Sequence, residues 1–195
     1  MEKALAGVTV IDCSRAVAGP YCAMLLADWG ADVIKVEMPE VGDEARTYSP
    51  RYGEDSCYFL VANRNKRSVT LNLKTPAARA VLDRLLAKAD VLIENFRPQA
   101  AKALGLEYPL LHKRFPGLIH CSLTGFGPTG PMSERPAMDA LIQAYAGPMS
   151  VTGEKGRPPV RMGLAAVDMS AALYASNGIM AALAAKARTG RGQLV

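Results

Sequence analysis

The chain has 195 residues, 50% of them apolar and 21% charged, with a formal net charge of +5. That balance excludes a disordered segment and gives enough chain for one domain with a real core. The positive charge favours anionic partners. Tyr48, Tyr52, Tyr58 and Phe59 lie near the basic stretch but form no RNP-like, zinc-finger or helix-turn-helix pattern, so nucleic acid is not an expected partner. Cys13, Cys22, Cys57 and Cys121 lack CxxC pairing, and His112 and His120 complete no metal-ligand spacing. Free thiols in a reducing cytoplasm, and no metal, are the expectation. The first residues, Met1 to Ala4, carry no basic-then-apolar signal layout. The most apolar stretch, Leu164 to Ala185, is interrupted by Asp168, Ser170, Ser176 and Asn177. It reads as a buried helix of a soluble protein and not as a membrane span.

Strand and helix patterns alternate along the chain, which predicts an α/β fold with a Rossmann-like, open, mostly parallel sheet covered by helices on both faces. Val8 to Cys13 is a β-branched run and reads as the first strand. Tyr21 to Trp29 then reads as a helix closed by Gly30, and Asp32 to Glu37 as the second strand. Met38 to Ser56 is a polar loop too long to be a mere connector. Ser68 to Leu73 alternates like a strand, and Thr75-Pro76 opens a helix running to Ala89. Val91 to Ile93 and Leu118 to Leu123 supply two more strands, with short helices at Pro98 to Leu104 and Tyr108 to Phe115 between them. A second Gly/Pro loop, Gly125 to Pro136, precedes a helix from Ala137 to Tyr145, and a long last helix runs from Leu164 to near Thr189-Gly190. Gln193-Leu194-Val195 looks like the opening of another strand, cut off before it pairs, so the chain is expected to be incomplete.

Several phrases carry chemistry, each with a plainer alternative. Small residues in Ser14-Arg15-Ala16-Val17-Ala18-Gly19-Pro20 let a ligand approach the backbone at a helix N-terminus, or simply shape a tight turn. Glu37 ends the second strand, where an acid meets a ribose hydroxyl in dinucleotide-binding folds; the alternative is a solvated strand end. Arg64, Lys66 and Arg67 suit phosphate groups, or a solvated surface. Glu94-Asn95-Phe96-Arg97-Pro98 follows a buried strand, where the carboxyl ends of parallel strands bind ligands. Asp139 and Asp168 each stand near a predicted helix start, where an acid is favoured by the helix dipole. Asp168 is the sharper of the two, because an unpaired carboxylate in an apolar segment is costly.

Taken together, these phrases resemble the family III coenzyme A transferases, the group that also contains α-methylacyl-CoA racemase. The resemblance runs from Leu5-Ala6-Gly7-Val8 and Ala18-Gly19-Pro20 through Gly30 to Glu37, Gly42-Asp43 and Asn63 to Ser68. It continues with Leu71 to Lys74, Glu94 to Pro98, Gly125-Phe126-Gly127 and Thr189 to Gln193. It implies that the chain is the coenzyme A-binding large domain, residues 1–195, without the small domain and return segment of the family. It implies an acyl-CoA:carboxylate CoA-transferase in which Asp168 is the nucleophile and Asp139 a supporting acid. Its substrates would be a coenzyme A thioester and a carboxylic acid acceptor, with no permanently bound cofactor, in an interlocked homodimer. Expected contacts to coenzyme A are Val17, Ala18, Glu37, Arg64, Lys66, Arg67, Leu71, Lys74, Asn95, Phe96, Arg97 and Lys102.

Departures from the family pattern narrow the reading. A racemase needs a His before the acid that matches Asp139, and here that residue is Met138, whose thioether cannot shuttle a proton. Val17 stands where the formyl-CoA/oxalate enzymes have Gln, which disfavours an oxalate-type acceptor. Met38 and Ala103 replace Arg residues that in some members hold the nucleotide end, so Lys74, Arg97 or Lys102 are expected to compensate. The remaining alternatives are a racemase or epimerase, and a non-catalytic coenzyme A-binding half-enzyme.

Overall fold

The computed structural model describes residues 3–195. Its main sheet is built from β1 (Thr9–Asp12), β2 (Asp32–Glu37), β5 (Lys66–Thr70), β6 (Val91–Glu94) and β7 (Ile119–Ser122), in the spatial order β5-β2-β1-β6-β7. Every neighbouring pair is parallel. Counted in chain order within the sheet, this is strand 3-2-1-4-5, the doubly wound arrangement whose direction of winding reverses between β1 and β6. A crevice at the carboxyl ends of those two strands follows from that reversal, and Asp12 and Glu94 mark its floor.

Alternation along the strands builds two cores. Val10, Val33, Val91, Ile93, Ile119 and Cys121 face α1 (Ala18–Asp28) and α7 (Ala166–Thr189). Ile11, Val36 and Leu92 face the opposite way, onto α3 (Pro76–Leu86), α4 (Pro98–Ala103) and α5 (Tyr108–Arg114). Strands covered on both faces read as continuous apolar runs, which is why Val91-Leu92-Ile93 shows no alternation of polarity. Thr75 caps α3 by accepting from Ala78 N–H at 3.3 Å, with Pro76 in the first turn, as its sequence predicts.

Four details differ from the sequence reading. The long polar loop contains a small hairpin, β3 (Arg51–Tyr52) with β4 (Asp55–Ser56), and is followed by a helix, α2 (Cys57–Asn63), that the aromatic and β-branched run disguised. Ser56 starts α2 by accepting from Phe59 N–H. The third sheet strand begins two residues earlier than its alternation suggests, because Lys66 pairs with Val33 and the ladder closes where Leu71 N–H donates to Glu37 O at 2.8 Å. Gln193 to Val195 do pair: His120 and Ser122 N–H donate to Gln193 and Val195 carbonyls at 3.0 Å, and Leu194 bridges His120 in parallel. They occupy the sixth place of the doubly wound order, beside β7.

The long helix α7 buries one stripe, Ala172, Ala175, Ser176, Ile179 and Ala182, and leaves Leu173 and Tyr174 facing out. No helix among the described residues is long and apolar enough to cross a membrane. Asp90, just before β6, pairs with Lys186 in the last turn of α7 at 2.7 Å. The start of α7, with Asp168, therefore lies toward the carboxyl ends of the strands. Open α/β sheets bind their ligands at that edge.

Candidate active site

The β1–α1 turn is held from below and from the side by polar side chains. Asn95 accepts from Arg15 N–H at 2.9 Å and donates to Arg15 O at 2.8 Å, so its amide stitches the two rims of the crevice together. Asp43 accepts from Ala16 N–H at 3.0 Å. Lys35 Nζ donates to Ser14 O at 3.0 Å, and Lys66 Nζ to Pro20 O at 2.8 Å. Gly19 is required by packing: a Cβ there would lie 2.2 Å from Ser14 Cβ. Val17 stands at the N-cap of α1 with no side-chain cap, and Ala18 opens the helix. Arg15 lies over the ring of Phe96, 5.3 Å from its centroid, and so engages the aromatic face expected to meet a heterocycle.

The acid at the end of β2 is not a solvated strand end. Glu37 is buried and accepts from Arg46 through both oxygens, at 2.8 and 2.9 Å, from Ser68 Oγ at 2.7 Å and from Asp43 N–H at 3.0 Å. Burial works against its charge, but these bonds win and hold it at about 2. Beside it, Met38, Gly42, Arg46, Ser68 and Thr70 line an open pocket of about 220 Å³ at the ends of β2 and β5. Gly42 has φ +66°, and a Cβ there would crowd Arg46 and Glu37.

The expected cations divide into three sets. Arg64 pairs with Asp28 and Arg67 with Asp32, both on the surface. Lys66 is buried, and its three donors go to Asp12 Oδ2, Pro20 O and Asn63 Oδ1, each at 2.8 Å. Lys74, Arg97 and Lys102 are exposed and take part in no ion pair among the described residues. Leu71 packs partly into the second core. Arg79 donates to Ala103 O, so a basic group does stand beside position 103, by a different route.

At the start of α7 two acids take different roles. Asp139 begins α6 (Asp139–Ala146) and reaches across to cap α7, where Oδ1 accepts from Val167 N–H at 2.8 Å and Asp168 N–H at 3.2 Å. Its other oxygen accepts from Gln143, which is fully buried. The same Gln143 accepts from Met162 N–H at 2.8 Å and donates to Leu164 O at 3.3 Å. The segment from Met162 into the first turn of α7 is thereby pinned. Asp168 is left as the first-turn carboxylate, pushed up to about 6 by burial and then by the charge of Asp139. Tyr48 of the polar loop is itself pushed up by burial, then by Glu44 and Asp43 and, last, by Asp168.

Sequence reasoning passed over Gln143, Asp43, Lys35 and Asp12 as site-forming residues. Gln143 follows Asp139 by four residues, the spacing of one helix face, and that signal was available. Lys35 interrupts a strand that is otherwise apolar at its centre, which calls for a buried partner.

The profile of CoA-transferase family III matches residues 5–195. The chain is 43% identical over 194 residues to the human succinyl-CoA:glutarate CoA-transferase, covering 99% of this chain and 44% of that protein. It is 44% identical over 187 residues to the acetyl-CoA:oxalate CoA-transferase of Acetobacter aceti, covering 95% and 48%. A crystal structure of a CaiB/BaiF family protein from Brucella suis superposes with a TM-score of 0.94 at 44% identity, covering 100% of this chain and 53% of the other. An open parallel sheet with its acids gathered at the carboxyl-end rim defines the class as a doubly wound α/β protein. The chain belongs to CoA-transferase family III. It spans about half the length of the curated relatives it matches.

Proposed function

We propose that this chain is the coenzyme A-binding large domain of an acyl-CoA:carboxylate CoA-transferase, with Asp168 as its nucleophile. The observation that carries this reading is the state of Asp168. Its carboxylate is disfavoured by burial and by Asp139, and no cation offsets that penalty. Asp139, the neighbouring acid, is occupied by capping. With its value at about 6, Asp168 is about nine-tenths ionised at pH 7 and more basic than an ordinary carboxylate.

The exchange then runs as paired acyl transfers. An oxygen of ionised Asp168 adds to the donor thioester carbonyl, the C–S bond breaks, and coenzyme A leaves as thiolate from a mixed anhydride. The thiolate attacks the aspartyl carbon, releasing the donor carboxylate and leaving an aspartyl-CoA thioester. The acceptor carboxylate attacks that thioester, expelling thiolate and forming a second anhydride. Thiolate attack on its acceptor carbonyl yields the new acyl-CoA and regenerates the carboxylate. No net proton is consumed. Met138, before α6, is 71% exposed and has no titratable group, so it supports transfer over racemisation.

Coenzyme A would lie across the β1–α1 turn, meeting Val17 and Ala18, with the free cations Lys74, Arg97 and Lys102 available to its phosphates. The names of the relatives pair succinyl- or acetyl-CoA with dicarboxylates, glutarate and oxalate among them. A succinyl- or acetyl-CoA donor and a dicarboxylate acceptor are accordingly the substrates we assign, with glutarate favoured over oxalate because Val17 offers no side-chain hydrogen bond. Leu141 and Tyr145 of α6 and Leu173 and Tyr174 of α7 face outward, and we assign them to contact with a second domain or subunit of an interlocked homodimer.

Peptide mass mapping after brief incubation with succinyl-CoA or acetyl-CoA tests the assignment. A hydroxylamine-labile acyl or coenzyme A adduct on the Asp168 peptide, lost in Asp168→Ala, is the expected result. Coenzyme A binding without any such adduct would mean a binding half-enzyme or non-covalent chemistry.

A further inference from the structure

We infer that Asp43 is a positioning residue for coenzyme A binding, setting the β1–α1 turn through a buried Lys35–Asp43 pair. The inference rests on the coenzyme A reading above. The turn needs such a device because Ala16 has φ +62°, a left-handed conformation that a residue with a Cβ adopts only under constraint. The constraint is visible on each side of it. Asp12 accepts from Ser14 N–H at 3.0 Å, Asn95 takes both polar groups of Arg15, and Asp43 Oδ1 takes Ala16 N–H. The N–H groups of Val17 and Ala18 are not among these bonds and remain available at the start of α1.

Asp43 is suited to the task because it joins three parts of the site. Its Oδ1 also accepts from Ala45 N–H at 2.9 Å, capping the short helical turn Glu44–Thr47. Its backbone N–H donates to Glu37 at the wall of the 220 Å³ pocket. Its Oδ2 lies 2.8 Å from Lys35 Nζ, and both side chains are almost wholly buried. Lys35 in turn donates to Ser14 O and lies 3.9 Å from Asp12. One carboxylate thus fixes the turn, the pocket wall and the loop between them, so a ligand spanning turn and pocket meets both in a set relation. Burial opposes the Lys35 charge, but Asp12 and Asp43 raise its affinity for the proton.

Two double substitutions separate positioning from bulk stability. Lys35→Met with Asp43→Leu removes both charges and fills the space with apolar groups, the kind of exchange that buried pairs tolerate. Lys35→Met with Asp43→Asn is equally neutral but returns an acceptor to Ala16 N–H. The Leu form is expected to bind coenzyme A at least about 10-fold more weakly per folded molecule, and the Asn form to recover most of that loss. Equal affinities in the two forms would overturn the inference. Amide exchange of the unsubstituted, ligand-free chain decides independently of any variant. Ala16 N–H is expected to be strongly protected and Val17 N–H to exchange quickly until coenzyme A is added. An unprotected Ala16 N–H overturns the positioning role. Protection of Ala16 with no coenzyme A binding at all overturns the coenzyme A reading instead.

Discussion

Asp12 and Asp168 are acids at the same rim of the sheet, and their surroundings send them in opposite directions. Asp12 is completely buried, yet Lys66 at 2.8 Å and Lys35 at 3.9 Å outweigh the cost of burial and hold it down at about 2. Asp168 is only partly buried, yet it rises to about 6, because burial opposes its charge and the neighbouring charge, Asp139, adds to that penalty instead of offsetting it. Depth alone would have ranked them the other way. What separates a structural carboxylate from a reactive one is the sign of its neighbours.

Removing each acid should therefore break different things. Asp168→Asn is expected to abolish the covalent adduct and lower transfer by about 10³-fold or more while the fold persists; single-turnover acylation measures it. Asp12→Asn leaves two buried ammonium groups short of a counter-charge and should cost about 3–5 kcal/mol in urea unfolding. The Asp12 contribution is fully present above its ordinary value of 3.8 and is lost as pH falls through about 2. Gln143→Leu strands the second oxygen of Asp139 and Met162 N–H, so unfolding should be easier by about 1–3 kcal/mol and adduct formation slower.

The cations sharpen the same comparison, with smaller effects. Arg97→Ala or Lys102→Ala should weaken coenzyme A binding by about 3–10-fold and flatten its salt dependence, because each removes an unpaired charge. Arg67→Ala removes a surface pair with Asp32 and should change affinity by less than about 2-fold. Titration calorimetry at two salt concentrations checks both.

Much of the fold was legible because local rules and long-range packing agree there. Asp32 to Glu37, the Thr75-Pro76 helix start and the Gly190 helix end all fall where their sequences place them. Helix α2 was hidden because Tyr58, Phe59 and Val61 favour strands until Ser56 caps them and α1 packs on them. At the site, Asp168 and Asp139 were visible as acids near helix starts, but their division of labour depends on a contact across 29 residues. The same holds for Lys66: its basic neighbours read as one patch, and only the parallel ladder with β2 carries it inward to Asp12.

The most direct test is a carboxyl ¹³C titration of the aspartates in the ligand-free protein. Asp168 is expected to titrate near pH 6 and Asp12 to stay ionised down to about 2. Because the folded form holds the Asp168 proton more tightly than the unfolded chain, stability should also fall as pH rises from 3.8 to about 6, a slope that Asp168→Asn removes. An Asp168 signal titrating at the ordinary 3.8, with no such slope, would contradict the claim that this acid is held unpaired for reaction.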